Sequence, residues 1–188
     1  MDSLHKLTEY FKEFPGIGPR QAQRFVYFLL TRSASHLEDI SRLILDIKKS
    51  IRICSSCFRF YPDGKTTVCS ICSDKNRDKN QLMIVSRDVD FESIEKSHVY
   101  HGLYFILGGV IPILEKEPEK KVRLKELKNK ITEFLKDKTS ENEKDKLSED
   151  NRENNRISDK KFKEIILSLN ITADGENTAD YIKQFINQ

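Results

Sequence analysis

The first fifty residues carry apolar side chains at the spacing of amphipathic helices. Between residues 2 and 14 they recur every three or four positions, which places them on one face of a helix. These residues are Leu4, Leu7, Tyr10, Phe11 and Phe14. The apolar run 25–30 predicts a second helix. Helical spacing over residues 37–51 predicts a third, which we expect to pack on the first two.

From residue 81 onward the pattern changes to short apolar runs that alternate with helical segments. The apolar runs cover residues 82–85, 104–107 and 165–169. Such runs are expected of strands buried on both faces of a parallel sheet. The predicted helices cover residues 91–95, 122–135 and 176–186. This alternation of strands and helices indicates an α/β domain.

A highly charged segment interrupts this domain. Residues 115–164 contain 30 charged side chains among 50, and between residues 137 and 161 only Leu147 and Ile157 are strongly apolar. Such a composition buries too little surface to order a chain. We therefore predict a disordered or fraying helical insertion at residues 137–161.

Four cysteines fall within nineteen residues, in two pairs with two residues between the thiols of each pair. They are Cys54, Cys57, Cys69 and Cys72. Each Cys-x-x-Cys pair forms a tight turn, here called a knuckle. Two knuckles close a tetrahedral shell of four thiolates around zinc, which leaves no position open for a catalytic water. The Pro-Asp-Gly sequence at 62–64 predicts a hairpin turn between the knuckles. We predict one structural zinc ion, and a redox dithiol is the alternative.

The segment between the first two helices has the composition of a phosphate-binding turn. Residues 14–19 read Phe-Pro-Gly-Ile-Gly-Pro, a sequence typical of a helix-hairpin-helix motif. The glycines permit close approach of the backbone, and N–H groups at the following helix start can hold a phosphate. The predicted DNA-binding residues are Gly16, Ile17, Gly18, Arg20 and Arg24. Phosphate contacts carry no base sequence, so binding should be sequence-independent. A helical turn with two solvated arginines is the alternative.

Charge and composition are consistent with this interpretation. The formal net charge is +3, and residues 1–80 hold 14 Lys or Arg against 9 Asp or Glu, so the positive charge lies toward the N-terminus. Neither a run of about eighteen apolar residues nor a signal-peptide pattern in residues 1–12 is present in the sequence. We therefore expect a cytoplasmic protein without a membrane partner.

Acidic residues follow two of the predicted strands. Asp88 and Asp90 come after the first strand, and Asp174 and Glu176 come after the third. Ligands of open α/β sheets bind beyond the carboxyl ends of the strands, and carboxylate oxygens suit Mg²⁺. Asp90, Asp174 and Glu176 are thus a candidate Mg²⁺ site, although ordinary solvated loop acids would have the same sequence.

The order of these features resembles the RecR family of bacterial recombination proteins. The resemblance is carried by the four cysteines and by residues 14–24, 90–95, 99–109 and 172–179. It implies an α+β protein in three parts. These are a helix-hairpin-helix DNA-binding region at 1–52, a four-cysteine zinc finger at 53–80 and a Toprim-like α/β domain with a parallel sheet at 81–188.

The resemblance also implies a function and partners. Members of this family form ring-like homo-oligomers around DNA and work with a RecO-type partner to load a RecA-type recombinase onto coated single strands. Their Toprim domain is regarded as a binding and assembly module, so we expect a repair mediator that is not an enzyme.

Three departures from the family pattern are visible. Ser86 stands where the first Toprim strand usually ends in an acid, which makes metal-dependent catalysis less expected. The charged insertion at residues 137–161 is unusual for the family. In the family a further strand and a Gly-rich segment follow the last helix, and neither follows residue 186 here. We therefore expect a sheet without that strand and subunit contacts without that segment.

Two other functions remain open. A Mg²⁺-dependent Toprim nuclease, primase or topoisomerase-like enzyme would use Asp90, Asp174 and Glu176, and Ser86 argues against it. A zinc-ribbon adaptor that binds only protein is the third, and Arg20 with Arg24 argues against it.

Overall fold

The computed structural model describes residues 2–62, 65–136 and 164–186. Within it the chain forms two compact units, one ending at Ile51 and the other beginning at Arg52. The predicted insertion at 137–161 lies outside the described residues, as do Asp63 and Gly64 of the predicted turn. No helix of the described ranges has both the length and the apolar content needed to cross a membrane.

The first unit consists of three helices, α1 (Ser3–Lys12), α2 (Pro19–Leu30) and α3 (Ala34–Ser50). Side-chain caps begin two of them. Asp2 accepts a hydrogen bond from the His5 N–H at 2.8 Å, and Ser33 accepts one from the His36 N–H at 3.3 Å. Each cap satisfies a backbone donor that the first turn of a helix leaves unpaired. The three predicted helices are thus confirmed.

The third helix belongs to the same compact unit as the first two, but its apolar face is only partly covered. No residue of α3 is buried, whereas α2 buries Ala22 and Val26. Leu37 and Ile40 are partly buried, whereas the apolar residues in the second half of α3 are 58–66% exposed. They are Leu43, Ile44, Leu45 and Ile47. The spacing correctly predicted an apolar face, but periodicity does not state what covers such a face.

The second unit is built on a parallel three-stranded sheet. In chain order its elements are β1 (Ile51–Ile53), β2 (Phe60–Pro62), α4 (Ser70–Ser73), β3 (Asp78–Val85), α5 (Asp88–Lys96), β4 (Gly102–Ile106), a 3₁₀ turn (Pro118–Lys120), α6 (Leu124–Lys136), β5 (Glu164–Ser168) and α7 (Ala173–Ile186). Strands β4, β3 and β5 lie side by side in that order, and β3 is parallel to both neighbours. Strands β1 and β2 pair separately. The predicted α+β fold class is confirmed.

The central strand β3 is covered on both faces. Leu82 and Ile84 pack toward α6 and α7, in a cluster that includes Leu127 and Ile182. Met83 and Val85 point to the opposite face, toward α5 and the cysteines. Because successive side chains of a strand alternate between faces, a strand covered twice must be apolar throughout. This explains why residues 82–85 form an uninterrupted apolar run.

Candidate nucleic-acid interface and metal centre

The four cysteines converge on one point at the surface of the sheet. Their sulfur atoms all lie within 4.8 Å of one another, and those of Cys57 and Cys69 are 3.7 Å apart. A zinc–sulfur bond of about 2.3 Å sets sulfur atoms roughly 3.8 Å apart in a tetrahedron. Three of the four cysteines are buried and Cys72 is partly exposed. The donor set and the spacing therefore fit a structural zinc ion, with all four thiolates as ligands.

Backbone donors and thiol crowding both favour a bound cation. The Sγ atom of Cys54 accepts hydrogen bonds from the N–H groups of Ser56 at 3.4 Å and Cys69 at 3.3 Å. The hydrogen bond between Cys57 and Cys69 raises the pKa of Cys57 and lowers that of Cys69 well below its ordinary range. Four crowded sulfurs cannot all ionise unless a divalent ion relieves their repulsion.

The first knuckle is fixed to the sheet by its backbone and by one aromatic ring. The Cys57 carbonyl accepts a hydrogen bond of 2.8 Å from the Ile106 N–H, at the end of β4. Phe58 has a positive φ of 64°, which a bulky residue adopts only when its surroundings impose it. Its ring lies 5.3 Å from that of Phe105, and the Arg123 guanidinium lies 5.6 Å from its centroid. No pattern in the sequence indicates this role of Phe58.

Strands β1 and β2 pair with each other and flank the first knuckle, so the turn between them contains Cys54 and Cys57. A bond of 3.0 Å from the Ser55 N–H to the Thr67 carbonyl links the first knuckle to the residues just before the second. Pro62 is the last residue of β2, whereas Asp63 and Gly64 lie outside the described residues, so the turn at 62–64 stays a prediction.

The loop between α1 and α2 has the geometry expected of a helix-hairpin-helix turn. Gly16 has a φ of +77°, which glycine adopts without strain, and Gly18 caps α2. A side chain added at either glycine would meet no atom within 4 Å, so the backbone there is open to approach. The Ile17 N–H bonds to the Phe14 carbonyl at 3.0 Å and closes the turn.

Arg20 and Arg24 are both exposed on α2, directly after this loop. They are four residues apart, so their side chains share one face of the helix. Within the described part of the chain neither makes an ion pair with an acid. The structure thus places two uncompensated cations beside an open glycine loop and the N-terminus of a helix, where an anion is stabilised.

The predicted acids lie at the starts of two helices. Asp90, in the first turn of α5, accepts a hydrogen bond of 3.0 Å from the Arg87 N–H. Asp174, in the first turn of α7, accepts one of 3.2 Å from the Ile113 N–H, while Glu176 is exposed. Across the described residues, the cysteines are the sole group of three or more potential ligands close enough to share an ion. A Mg²⁺ site at the acids stays a prediction.

Residues near these acids have structural roles that sequence reasoning missed. Thr178 is buried, and its hydroxyl accepts a bond of 2.8 Å from the Ile111 N–H and donates one of 2.6 Å to the Asp174 carbonyl. The Asn177 amide donates to the Ile111 carbonyl at 3.1 Å. These bonds hold the chain after β4 against α7. Their only sequence signal is that both residues fall within the segment 172–179.

Ser86 is also buried, with 1% of its surface exposed. Its hydroxyl has no hydrogen-bond partner among the described residues. It follows the end of β3, where the catalytic interpretation requires a carboxylate. A neutral hydroxyl that is shielded from water cannot replace an ionised acid as a metal ligand there.

Comparisons with known proteins agree with this arrangement. The family model described as "RecR, helix-hairpin-helix" matches residues 4–48, and the "Toprim domain" model matches residues 80–188. A protein of Ureaplasma urealyticum named "Recombination protein RecR" is 31% identical over 180 residues, which are 96% of this chain and 75% of the relative. A protein of the same name from Limosilactobacillus reuteri is 32% identical over 186 residues, which are 98% of this chain and 78% of the relative. The chain belongs to the RecR family of recombination proteins.

Proposed function

We propose that this protein is a DNA-binding mediator of recombinational repair, which acts with a RecO-type partner to load a RecA-type recombinase onto single strands. The observation that carries the DNA-binding step is the pair of exposed arginines, Arg20 and Arg24, beside the open Gly16–Gly18 loop. Such a role on chromosomal DNA would place the protein in the cytoplasm.

The proposed contact is with the phosphate backbone. A helix start offers N–H groups and the positive end of its dipole, and the two guanidinium groups add charge that pairs with phosphate oxygens. None of these groups reads a base edge, so binding should be independent of sequence. Gly16, Ile17 and Gly18 would let the backbone approach the DNA closely.

Charge reversal at Arg20 and Arg24 should weaken DNA binding equally for unrelated sequences. Each lost phosphate contact removes one released counterion, so the slope of log affinity against log salt should fall by roughly one to two units. Fluorescence anisotropy at several salt concentrations measures this slope. The matched control reverses the charges of Lys48 and Lys49, two exposed residues of α3, and should change the slope less. A loss that depends on DNA sequence would contradict the proposal.

A homo-oligomer is part of the proposal. The apolar side chains of residues 43–47, in the second half of α3, are more than half exposed, and exposed apolar patches of this kind are typical of protein interfaces. A second copy of the chain could cover them. Sedimentation of a Leu43→Glu, Ile47→Glu variant should then show a smaller particle than sedimentation of the unchanged protein.

A Toprim enzyme is the second candidate, because the Toprim model matches residues 80–188. We expect no cleavage or relaxation of supercoiled DNA with Mg²⁺ or Mn²⁺. Ser86 offers no carboxylate, and Asp90 and Asp174 accept backbone hydrogen bonds at helix starts. Gel electrophoresis is the assay. Cleavage that disappears in an Asp174→Asn, Glu176→Gln double variant would overturn the non-enzymatic assignment.

A further inference from the structure

The four cysteines of the metal centre differ in how well the fold shields them. Cys54, Cys57 and Cys69 are no more than 1% exposed, whereas Cys72 is partly exposed. Their sulfur atoms all lie within 4.8 Å of one another, so three shielded cysteines and one partly exposed cysteine share a single cluster. Oxidation of a thiol depends on access, and buried structural cysteines are inert. Of the four ligands, Cys72 is therefore the one that a small oxidant reaches.

The folding of the two knuckles accounts for this difference. After Cys57 the chain returns to the sheet, where the Cys57 carbonyl bonds to the end of β4 and the Phe58 ring packs on another ring. In the second knuckle the buried residue of the short helix α4 is Ile71. Successive helical side chains differ by about 100° in direction, so Cys72 points away from Ile71. It consequently lies at the edge of the buried cluster, next to the exposed Ser73.

Coordination and hydrogen bonding have opposite effects on the reactivity of these sulfurs. A cysteine bound to zinc is held as the thiolate, which is the nucleophilic form of the side chain. A backbone donor that stabilises the thiolate lowers its nucleophilicity. The Cys54 sulfur accepts two such bonds, from the N–H groups of Ser56 and Cys69, so it is both buried and deactivated. As a zinc ligand, Cys72 combines the thiolate form with partial exposure.

We propose that Cys72 is a modification site at which peroxides oxidise the metal centre and release its zinc ion. The Cys72 thiolate attacks one oxygen of hydrogen peroxide, the O–O bond breaks, and hydroxide leaves, which produces a sulfenic acid. A neighbouring thiolate then attacks the Cys72 sulfur, the S–O bond breaks, and a second hydroxide leaves as a disulfide forms. The two cysteines lose two electrons in total, and these electrons reduce one hydrogen peroxide to two hydroxide ions.

Cys69 is the thiolate that should close this disulfide. It belongs to the same knuckle as Cys72, with two residues between them, and the two sulfur atoms lie within 4.8 Å. Metal ligation requires the thiolate, so the disulfide removes two of the four ligands at once. Cys69 also lies in the buried cluster that contains Met83 and Val85, so loss of zinc would loosen that face of the sheet. A dithiol reductant and added zinc should reverse the change, because this oxidation state is reversible.

The first experiment identifies the oxidised cysteines in the unchanged protein. The zinc-loaded protein is treated with substoichiometric hydrogen peroxide, and a parallel sample contains dimedone, which captures sulfenic acids. Trypsin leaves each cysteine pair on one peptide, 53–59 or 66–75, for mapping by mass spectrometry. We expect the dimedone adduct on Cys72 and the disulfide between Cys69 and Cys72, together with zinc release to a chromogenic chelator. An adduct spread equally over the four cysteines, a disulfide within 53–59, or oxidation without zinc release would overturn the proposal.

The second experiment removes the reactive sulfur but keeps a zinc ligand. Cys72→His presents an imidazole nitrogen, and a shell of three cysteines and one histidine is a common structural zinc site. This variant should release zinc to peroxide at least about tenfold more slowly than the unchanged protein, because its three remaining thiols are buried. Ser73→His, at the exposed neighbour, is the matched control and should release zinc at the unchanged rate. Equal rates in Cys72→His and the unchanged protein would contradict the proposal.

The two experiments have separate points of failure. If Cys72→His holds no zinc, the peptide map of the unchanged protein alone decides between Cys72 and the buried cysteines. An unchanged protein that binds no zinc would remove the premise and overturn the proposal. Neither experiment uses DNA, so their outcome does not bear on the proposed function.

Discussion

Replacing Cys69 with serine is expected to abolish zinc binding and the cooperative unfolding of the second unit. Cys69 is fully buried, and its sulfur belongs to the four-thiolate cluster. Apparent zinc-binding free energies of about 10–16 kcal/mol in small zinc-binding peptides match or exceed the roughly 5–15 kcal/mol stability of a typical domain. A variant that no longer binds zinc therefore loses a free energy as large as the whole unfolding free energy of a typical domain.

The cysteines are also part of the core, so the effect should extend beyond the knuckles. Cys54, Cys57 and Cys69 share a buried cluster with Met83 and Val85 of the central strand. Loss of zinc would leave unpaired thiols against this face of the sheet. We expect the main thermal transition to fall by more than about 10 °C or to lose cooperativity.

Metal analysis and calorimetry check this prediction. Ser70→Ala, at the exposed neighbouring residue, is the matched control and should retain one zinc ion per chain with unchanged unfolding. A Cys69→Ser protein that binds zinc and melts like the unchanged chain would show that the cluster is not a structural metal site.

Replacing Gly175 with alanine should strongly destabilise the second unit, because the added methyl group would meet backbone atoms. An added Cβ would lie 1.9 Å from the Asn170 carbonyl oxygen, in the turn that precedes α7. This turn is tied to the helix start by the Gly175 N–H, which donates to the Thr172 hydroxyl at 3.1 Å. Backbone atoms cannot move aside as a flexible side chain can, so α7 must shift.

Such a shift would break several bonds together, including those from Ile113 to Asp174 and from Ile111 to Thr178. We expect a loss of about 3 kcal/mol in the free energy of unfolding, at the upper end of overpacking changes. Gly109→Ala is the control, because Gly109 is also buried but its added Cβ would lie 3.6 Å from Val122, an ordinary contact. Chemical denaturation compares the two. Equal stabilities would mean that the turn before α7 is looser than described.

Much of the fold was predictable because its signals are local in the chain. The two Cys-x-x-Cys pairs predicted a four-thiolate cluster, since each pair positions its sulfurs by a tight turn of its own. The glycines at 16 and 18 likewise predicted the loop whose Gly16 has a positive φ. The strand run 82–85 was apolar throughout, and it lies in the centre of the sheet with both faces covered.

Other features depend on residues that are distant in sequence. Arg77 and Glu95 form a partly buried ion pair, and the arginine also donates to the Tyr100 carbonyl at 3.3 Å. No periodicity pairs two charges eighteen residues apart. Phe58 and Phe60 differ by two positions, yet one ring packs on Phe105 and the other is exposed.

The sequence by itself determined the helices of the first unit, the strands of the parallel sheet, the cysteine cluster and the basic helix-hairpin-helix loop, because spacing and turn chemistry act over a few residues. Only the tertiary structure decided that Asp90 and Asp174 accept backbone hydrogen bonds at helix starts and that the apolar side chains in the second half of α3 are exposed. The physical reason is that a sequence pattern fixes which side chains share a face, whereas partners, burial and charge compensation follow from how separate elements meet in space.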